Sequence, residues 1–574
     1  MQDCTRAVRS ALFGSALVLA ACAPQRPAIA PVPAAALPKP ATPAATPVAQ
    51  PVATPVAPTP AASTSAAAVT PKVAYRSAPP FWHLLDPATD GIAGVGARRA
   101  LTELLNNSAP KRMITVAVID GGVDTSHTAL RSALVLNAKE TPANGRDDDG
   151  NGYVDDARGW NFIGGATGNI DDEQLELTRL VKQCRTNGGK SVVSAPCSQL
   201  ESEFTKQRSE TEAQWAGLRP VLAQFDSLLG VVAKDNGVTK ASITDATLAK
   251  MEPKTPASRS ALMRLQSFAQ NGLTPNVSRA ARKQVEGRLE YGLNVAFDGR
   301  KVIGDTPAMG RHYGNANVTG PDASHGTAVA SVIGAVSGDS GFVGIAPGIR
   351  ILPVRVVPNG DENDKDVANG IRYAVESGAQ IINMSFGKPY SPGKAAVDSA
   401  VQFAVSRGVL LVHASGNEST DVDVTPTFPS ATYADKTGRA ATWIDVGASS
   451  WRAGETLAAD FSNYGHASVD LFAPGVSIFS AALNNEFARE DGTSLAAPVV
   501  SGVAALLMSQ FPTLTATDVK RILMATATQF PNLQVSKPGS RSQKVPFASL
   551  SVSGGVINAF EAVKMAQRET GNAQ

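Results

Sequence analysis

Three short segments of this chain carry side chains that could move a proton and attack a carbonyl carbon. Gly492-Thr493-Ser494-Leu495-Ala496-Ala497-Pro498 sets a serine at the head of a small-residue, apolar run. Ser324-His325-Gly326-Thr327 supplies an imidazole, and Asp120 ends the apolar run Thr115-Val116-Ala117-Val118-Ile119. A serine hydroxyl is a poor nucleophile at neutral pH. It needs a base to take its proton, and that base needs a carboxylate to fix its tautomer and stabilise its positive form. The roles that follow are nucleophile for Ser494, general base for His325 and orienting carboxylate for Asp120. A helix starting at Ser494 would also bring unpaired N–H groups and a positive dipole end to a reacting carbonyl. Each segment alone has a plainer reading, as a turn aspartate, a helix start or an N-cap. The three together, in the order Asp…His…Ser, point to covalent acyl transfer.

The elements around them must bring these side chains together. The continuous, partly β-branched run before Asp120 suits a strand buried on both faces of a parallel sheet. Strand and helix patterns then alternate: strands at 349–357, 380–384 and 409–413, helices at 366–377, 395–407, 499–508 and 516–525. Such alternation predicts an α/β fold, a doubly wound parallel sheet flanked by helices. Between Asp120 and His325, residues 165–300 predict an inserted helical subdomain, with helices at 175–182, 199–234 and 257–290. Trp215, Leu218, Leu222, Phe225 and Leu229 recur there at steps of three and four. Pro220 interrupts the stripe and predicts a kink or a helix boundary.

The motifs resemble those of the subtilisin family. Asp120-Gly121-Gly122-Val123-Asp124, His325-Gly326-Thr327-Ala328-Val329-Ala330 and Gly492 to Pro498 are similar to its aspartate, histidine and serine motifs. Supporting matches are Gly344-Ile345-Ala346-Pro347, Asn383-Met384-Ser385-Phe386-Gly387, Ala414-Ser415-Gly416-Asn417, Phe461-Ser462-Asn463-Tyr464-Gly465 and Ala473-Pro474-Gly475. The resemblance covers 80–165 and 300–565. It implies a serine endopeptidase working on polypeptides, with no cofactor for catalysis. Asn417 would be the side-chain half of an oxyanion hole, beside the Ser494 N–H. Ser385, Phe386 and Gly387 would pair with an extended substrate, and Ala414, Ser415 and Gly416 would wall the first specificity pocket. Gly360 to Asp364 would be a second rim, read either as a basic-residue-preferring edge or as a solvated acidic loop. Departures are Ala328, Ser331 and Leu495, where family members often carry histidine, glycine and methionine. None of them supplies a catalytic proton. The family's folded N-terminal chaperone has no counterpart in the segment before residue 80.

That segment reads as an address and a stalk. Arg6 and Arg9 precede a short apolar run, and Leu19-Ala20-Ala21-Cys22 resembles a lipobox, which implies lipidation at Cys22. An ordinary secretory signal is the other reading of residues 1–22. Residues 23–79 are a linker, and from 23 to 80 stand 15 of the chain's 38 prolines, which favour extended polyproline II. The catalytic body is expected at 80–164 and 301–565, with a short tail at 566–574. The anchor would hold it outside the cytoplasm, on a bacterial membrane. Cys184 and Cys197 are left as an even pair, either a disulfide or two thiols.

Asp147-Asp148-Asp149-Gly150-Asn151-Gly152-Tyr153-Val154-Asp155 resembles the start of an EF-hand loop. Asp147, Asp149, Asn151 and Asp155 are candidate ligands of a structural Ca2+, against a plain acidic turn. His413 reads as a packed core residue. A net charge of +2 over 574 residues argues against a nucleic-acid partner held by a broad basic face. A monomer is expected. The competing functional reading is a catalytically silent surface module that binds through its helical insertion. A third is esterase or transferase use of the same residues.

Overall fold

The computed structural model describes residues 77–304, 310–336, 341–435 and 437–571. The leader with Cys22, and the linker as far as residue 76, lie outside the described residues. The first described segment carries aromatic residues. Trp82, Leu84 and Ile92 are buried against the body, and Trp82 Nε1 donates to Val476 O at 3.0 Å.

The apolar runs form strands β1 (Thr115–Asp120), β2 (Trp160–Asn161), β3 (Arg350–Arg355), β4 (Ile381–Met384), β5 (Leu410–Ala414), β6 (Trp443–Ser449) and β7 (Leu471–Pro474). They build one nine-stranded sheet in the order Thr528–Gln529, Gly555–Val556, β7, β6, β5, β4, β1, β3, β2. Only the Thr528–Gln529 edge runs antiparallel to its neighbour. Val116 pairs with Ile351 on one side and Ile381 on the other, which makes β1 a central strand.

Alternate residues of each strand serve two cores, as strand geometry requires. Val116, Val118, Ile381, Leu410 and Val412 pack on the helices Ser324–Gly334 and Thr493–Gln510. Ala117, Ile119, Ile382, Met384 and Leu411 pack on Asp364–Glu376 and Lys394–Ser406. The sheet is therefore covered on both faces, in line with its largely apolar strands. Thr493–Gln510 is the most deeply placed helix. Val499, Val500, Val503 and Leu507 are wholly buried, and each such side chain contributes about 1.5–3 kcal/mol relative to exposure.

Residues 165–300 carry the helices Glu176–Thr186, Cys197–Asn236, Pro256–Gln270 and Pro275–Gly287. Leu218, Leu222, Phe225, Leu229, Leu262 and Leu265 close a core of their own. Of the two readings of Pro220 the helix boundary is not found, and one further expectation is corrected. The 40-residue helix Cys197–Asn236 runs through Pro220 without a boundary. The Leu/Phe stripe on either side of Pro220 is buried, and that packing offsets the one backbone hydrogen bond the proline removes. The single helix expected at 257–290 is two, split at Asn271-Gly272, with Gly272 left-handed at φ 86° and Thr274 capping the second. A disulfide joins Cys184 to Cys197 and ties the first insertion helix to the second. Helix Ala559–Glu569 extends into the expected tail and buries Ala566.

Candidate active site

Asp120 ends β1 at the carboxyl edge of the sheet, 2% exposed. Its Oδ1 accepts from the N–H of Gly121 at 2.7 Å. The chain then turns through Gly122 (φ 140°), and a Cβ there would meet Thr319 O at 2.3 Å. Buried Arg355 holds this turn from β3: its Nε donates to Gly121 O at 2.6 Å and its other nitrogens to Asn161 Oδ1 and Ile170 O.

His325 is the second residue of its helix. Gly326 lets that helix approach closely, because a Cβ there would lie 2.1 Å from Gly122 O. His325 Nδ1 meets both Asp120 oxygens, at 2.9 and 3.0 Å. The ring is half-exposed. Burial works against its charged form, but the charge and hydrogen bond of Asp120, with Glu490 and Asp322 farther off, outweigh it and raise its pKa from 6.5 to about 9. Asp322 accepts from Ser324 N and Oγ at the head of this helix. It also receives Lys283 Nζ of the insertion at 2.9 Å. Burial of Asp322 opposes its ionisation, yet these bonds hold its pKa down at about 2.

Ser494 lies in the first turn of its helix, and Ser385 Oγ donates to its carbonyl at 2.9 Å. Asn383, on β4, donates to Ser385 Oγ and accepts from Ser501 Oγ, so the serine helix is fastened to the end of β4. Asn417 Oδ1 accepts from the Thr493 N–H and hydroxyl. Asn417 Nδ2 and Ser494 Oγ lie 3.8 and 2.8 Å from the point where Gly492 would carry a Cβ. Among the described residues Ser494 Oγ makes no hydrogen bond, to His325 or to any other group. The Asp120–His325 pair is thus formed, and the serine helix and Asn417 stand together, with the Ser494–His325 bond not made.

Sheet order creates the space between them. β4 and β3 flank β1, and beyond Asp120 their continuations run on alone. Neighbouring strands lie about 4.8 Å apart, so a gap one strand wide opens there. On one wall, Phe386 O meets His413 Nε2 at 2.9 Å, and Lys388 pairs its backbone with Phe428. The backbone groups of Ser385 and Gly387 face the gap without partners among the described residues. On the other wall, Asn359 and Asp361 bond to 171–174, and Gly360 is left facing the gap.

Residues 111–545 match the model of the subtilase family, peptidase S8. The chain belongs to the subtilase family. It is a serine-type peptidase of the subtilisin kind. This subtilase is 32% identical to subtilisin DY of Bacillus licheniformis over 243 residues, which is 42% of this chain and 82% of that protein. It is 35% identical to subtilisin NAT of Bacillus subtilis subsp. natto over 210 residues, 36% of this chain and 52% of that protein. A solved structure of the protease domain of PatA shares 30% identity over 43% of this chain and 82% of that domain, with a TM-score of 0.35.

Sequence reasoning missed several supporting residues of the subtilase. His413 is buried, as expected, but it also links Asp445 to the substrate-side strand through Phe386. The acidic rim is not a solvated loop. Glu362, Asp364 and Asp366 are buried, and Arg179, Lys388 and Arg300 bond to them or to their carbonyls. Their partners stand 183, 24 and 66 positions away in sequence and carry no motif, so no local signal marks them. In the acidic loop, oxygens of Glu140, Asp147 and Asp149 lie within 4.8 Å of one another. Asn151 Oδ1 accepts from the N–H of Tyr153, and Asp155 caps the turn at Asn144 and Gly145.

Proposed function

We propose that this subtilase is an endopeptidase, tethered outside the cytoplasm, which cleaves extended polypeptides through an acyl-enzyme at Ser494. The Asp120–His325 pair facing the head of the serine helix carries this reading. The bond from Ser494 Oγ to His325 Nε2 would form with substrate; such bonds are often loose before substrate binds. His325 takes the hydroxyl proton as Oγ attacks the carbonyl, and the Asp120 carboxylate stabilises the imidazolium. The former carbonyl oxygen then receives hydrogen bonds from the Ser494 N–H and Asn417 Nδ2. Asn417 Oδ1 is occupied by Thr493, which leaves the amide nitrogen as the group free to donate. His325 next protonates the leaving amine, and water repeats the cycle to release the acid. The substrate lies as a strand in line with β1, between Ser385–Gly387 and Gly360. Ala414, Ser415 and Gly416, at the end of β5, wall the first pocket. Hydrolysis of a protein substrate by the purified chain, and its loss in Ser494→Ala, tests the reading. Undiminished hydrolysis in that variant would refute it.

Tethering rests on the lipobox-like Leu19 to Cys22 and the proline-rich stalk. The Cys184–Cys197 disulfide supports an oxidising compartment. The acidic loop fits a hard cation of the Ca2+ class. Glu140 is 5% exposed, and its Oε2 is buried with no hydrogen-bond partner, next to Asp147 and Asp149. All three donors are carboxylate oxygens, the set Ca2+ prefers. A bound cation would satisfy that orphaned oxygen and brace the loop leading into β2.

A further inference from the structure

The insertion meets the body at one compact cluster of buried charges. Lys388 follows Gly387 directly on the substrate wall and is 3% exposed. Its ammonium donates to Glu362 O at 2.7 Å and reaches Asp364 Oδ1 at 2.9 Å, both across the gap. It also meets Glu176 Oε2 of the first insertion helix at 2.7 Å. Arg179, one turn on, bonds to Glu176 and to the carbonyls of Asp361 and Glu362. Asp361 Oδ2 accepts from the N–H of Glu176 at 2.7 Å. One end of one helix therefore joins both walls of the gap.

We infer that the insertion closes the upstream end of the substrate cleft, with Lys388 and Glu176 as the stop, so that recognition ends at the third residue before the scissile bond. The inference rests on the proposed peptidase site. Paired strands exchange hydrogen bonds at alternate residues. Ser385 and Gly387 are the two open positions, and they serve the first and third upstream residues. At the following positions the wall carbonyl of Glu362 is already taken by Lys388 and Arg179. A fourth residue finds no backbone partner and must leave the cleft. The insertion thus restricts how much sequence the enzyme reads, while the chemistry stays with the body.

The test is a series of peptides of one sequence, lengthened upstream one residue at a time, assayed with the full chain. kcat/KM is expected to rise about tenfold when the third residue is added, the worth of one or two backbone hydrogen bonds, and to change less than about twofold with the fourth and fifth. A continued rise of about fivefold or more at the fourth or fifth residue overturns the inference. Glu176→Gln removes the insertion's own charge from Lys388 and Arg179, leaves Asp364 on Lys388, and keeps the side chain's shape. It is expected to restore a gain from the fourth residue, and an unchanged length profile in a variant of native thermal stability counts against the stop. Fluorophosphonate labelling of Ser494 runs alongside. Labelling with a continued length gain defeats this inference alone, whereas no labelling defeats the peptidase site beneath it.

Discussion

Asn417 Oδ1 accepts from both the N–H and the hydroxyl of Thr493, each at 2.9 Å, one residue before Ser494. This fixes which way the amide points. Asn417→Ala is expected to lower kcat by roughly 10²–10³ with KM little changed, the usual cost of losing one oxyanion donor. Thr493→Val removes the hydroxyl's bond to that amide and keeps the N–H bond, and should lose less. Steady-state kinetics on one peptide checks both; a fall confined to KM would contradict the assignment.

The glycine before Thr493 is needed for a different reason. A Cβ at Gly492 would sit 2.8 Å from Ser494 Oγ. Gly492→Ala should displace the nucleophile and depress kcat at least as far as Asn417→Ala, and should lower thermal stability as well, because Gly492 has a backbone conformation that L side chains rarely adopt. Stability and activity measured on the same preparation decide it.

The pH dependence follows from His325. The base works only when neutral, and its pKa is raised to about 9. kcat/KM is expected to climb on an alkaline limb well above the 6.5 of an ordinary imidazole. Stability should move the other way. Between 6.5 and about 9 the folded His325 holds a proton that the unfolded chain has lost, so stability falls as pH rises through that window. Glu362, raised from 4.5 to about 8 chiefly by burial, holds its proton in the same sense and adds a decline from 4.5 to about 8. Melting temperatures and rate profiles over one pH series test the opposition. Parallel rises of both would contradict it.

Much of the sheet and its two cover layers was legible because most of the buried parallel strands are largely apolar and the helices alternate with them. β6 and β7 escaped notice: Trp443-Ile444-Asp445-Val446-Gly447 and Leu471-Phe472-Ala473-Pro474 mix apolar with polar or small residues. Asp120, His325 and Ser494 were marked in the sequence by short motifs, and the fold brings the first two into contact. Lys388, Glu176 and Glu140 were not, because a lone Lys or Glu in sequence looks like solvated surface. Only the fold shows them buried, and burial is what gives them their roles. Pro220 failed as a helix breaker because its helix is held by packing on a neighbour.

The proposed cation site would have an optical readout. Tyr153 and Trp160 pack edge to face beside the acidic loop, 5.1 Å between ring centres. Tb3+ added to the full chain should give luminescence excited through these rings and displaced by Ca2+. Chelation should lower the melting temperature of the native chain, and Glu140→Gln should abolish both effects. Native-like luminescence in that variant would remove Glu140 from the site.

Arg355 offers a test of support from beneath. It is 2% exposed and binds the carbonyl next to Asp120. Arg355→Met should cost about 1–3 kcal/mol, since it strands the buried acceptors at Gly121 and Ile170. Denaturant unfolding measures the loss; a change within about 0.5 kcal/mol, the range of ordinary surface substitutions, would be the contrary result.

The account turns on Ser494 acting as a nucleophile next to His325. Fluorophosphonate treatment of the intact protein, followed by peptide mapping, addresses this most directly. The expected result is one covalent adduct on Ser494, absent in His325→Ala. Adduct formation elsewhere, or none at pH values where His325 is neutral, would contradict the account.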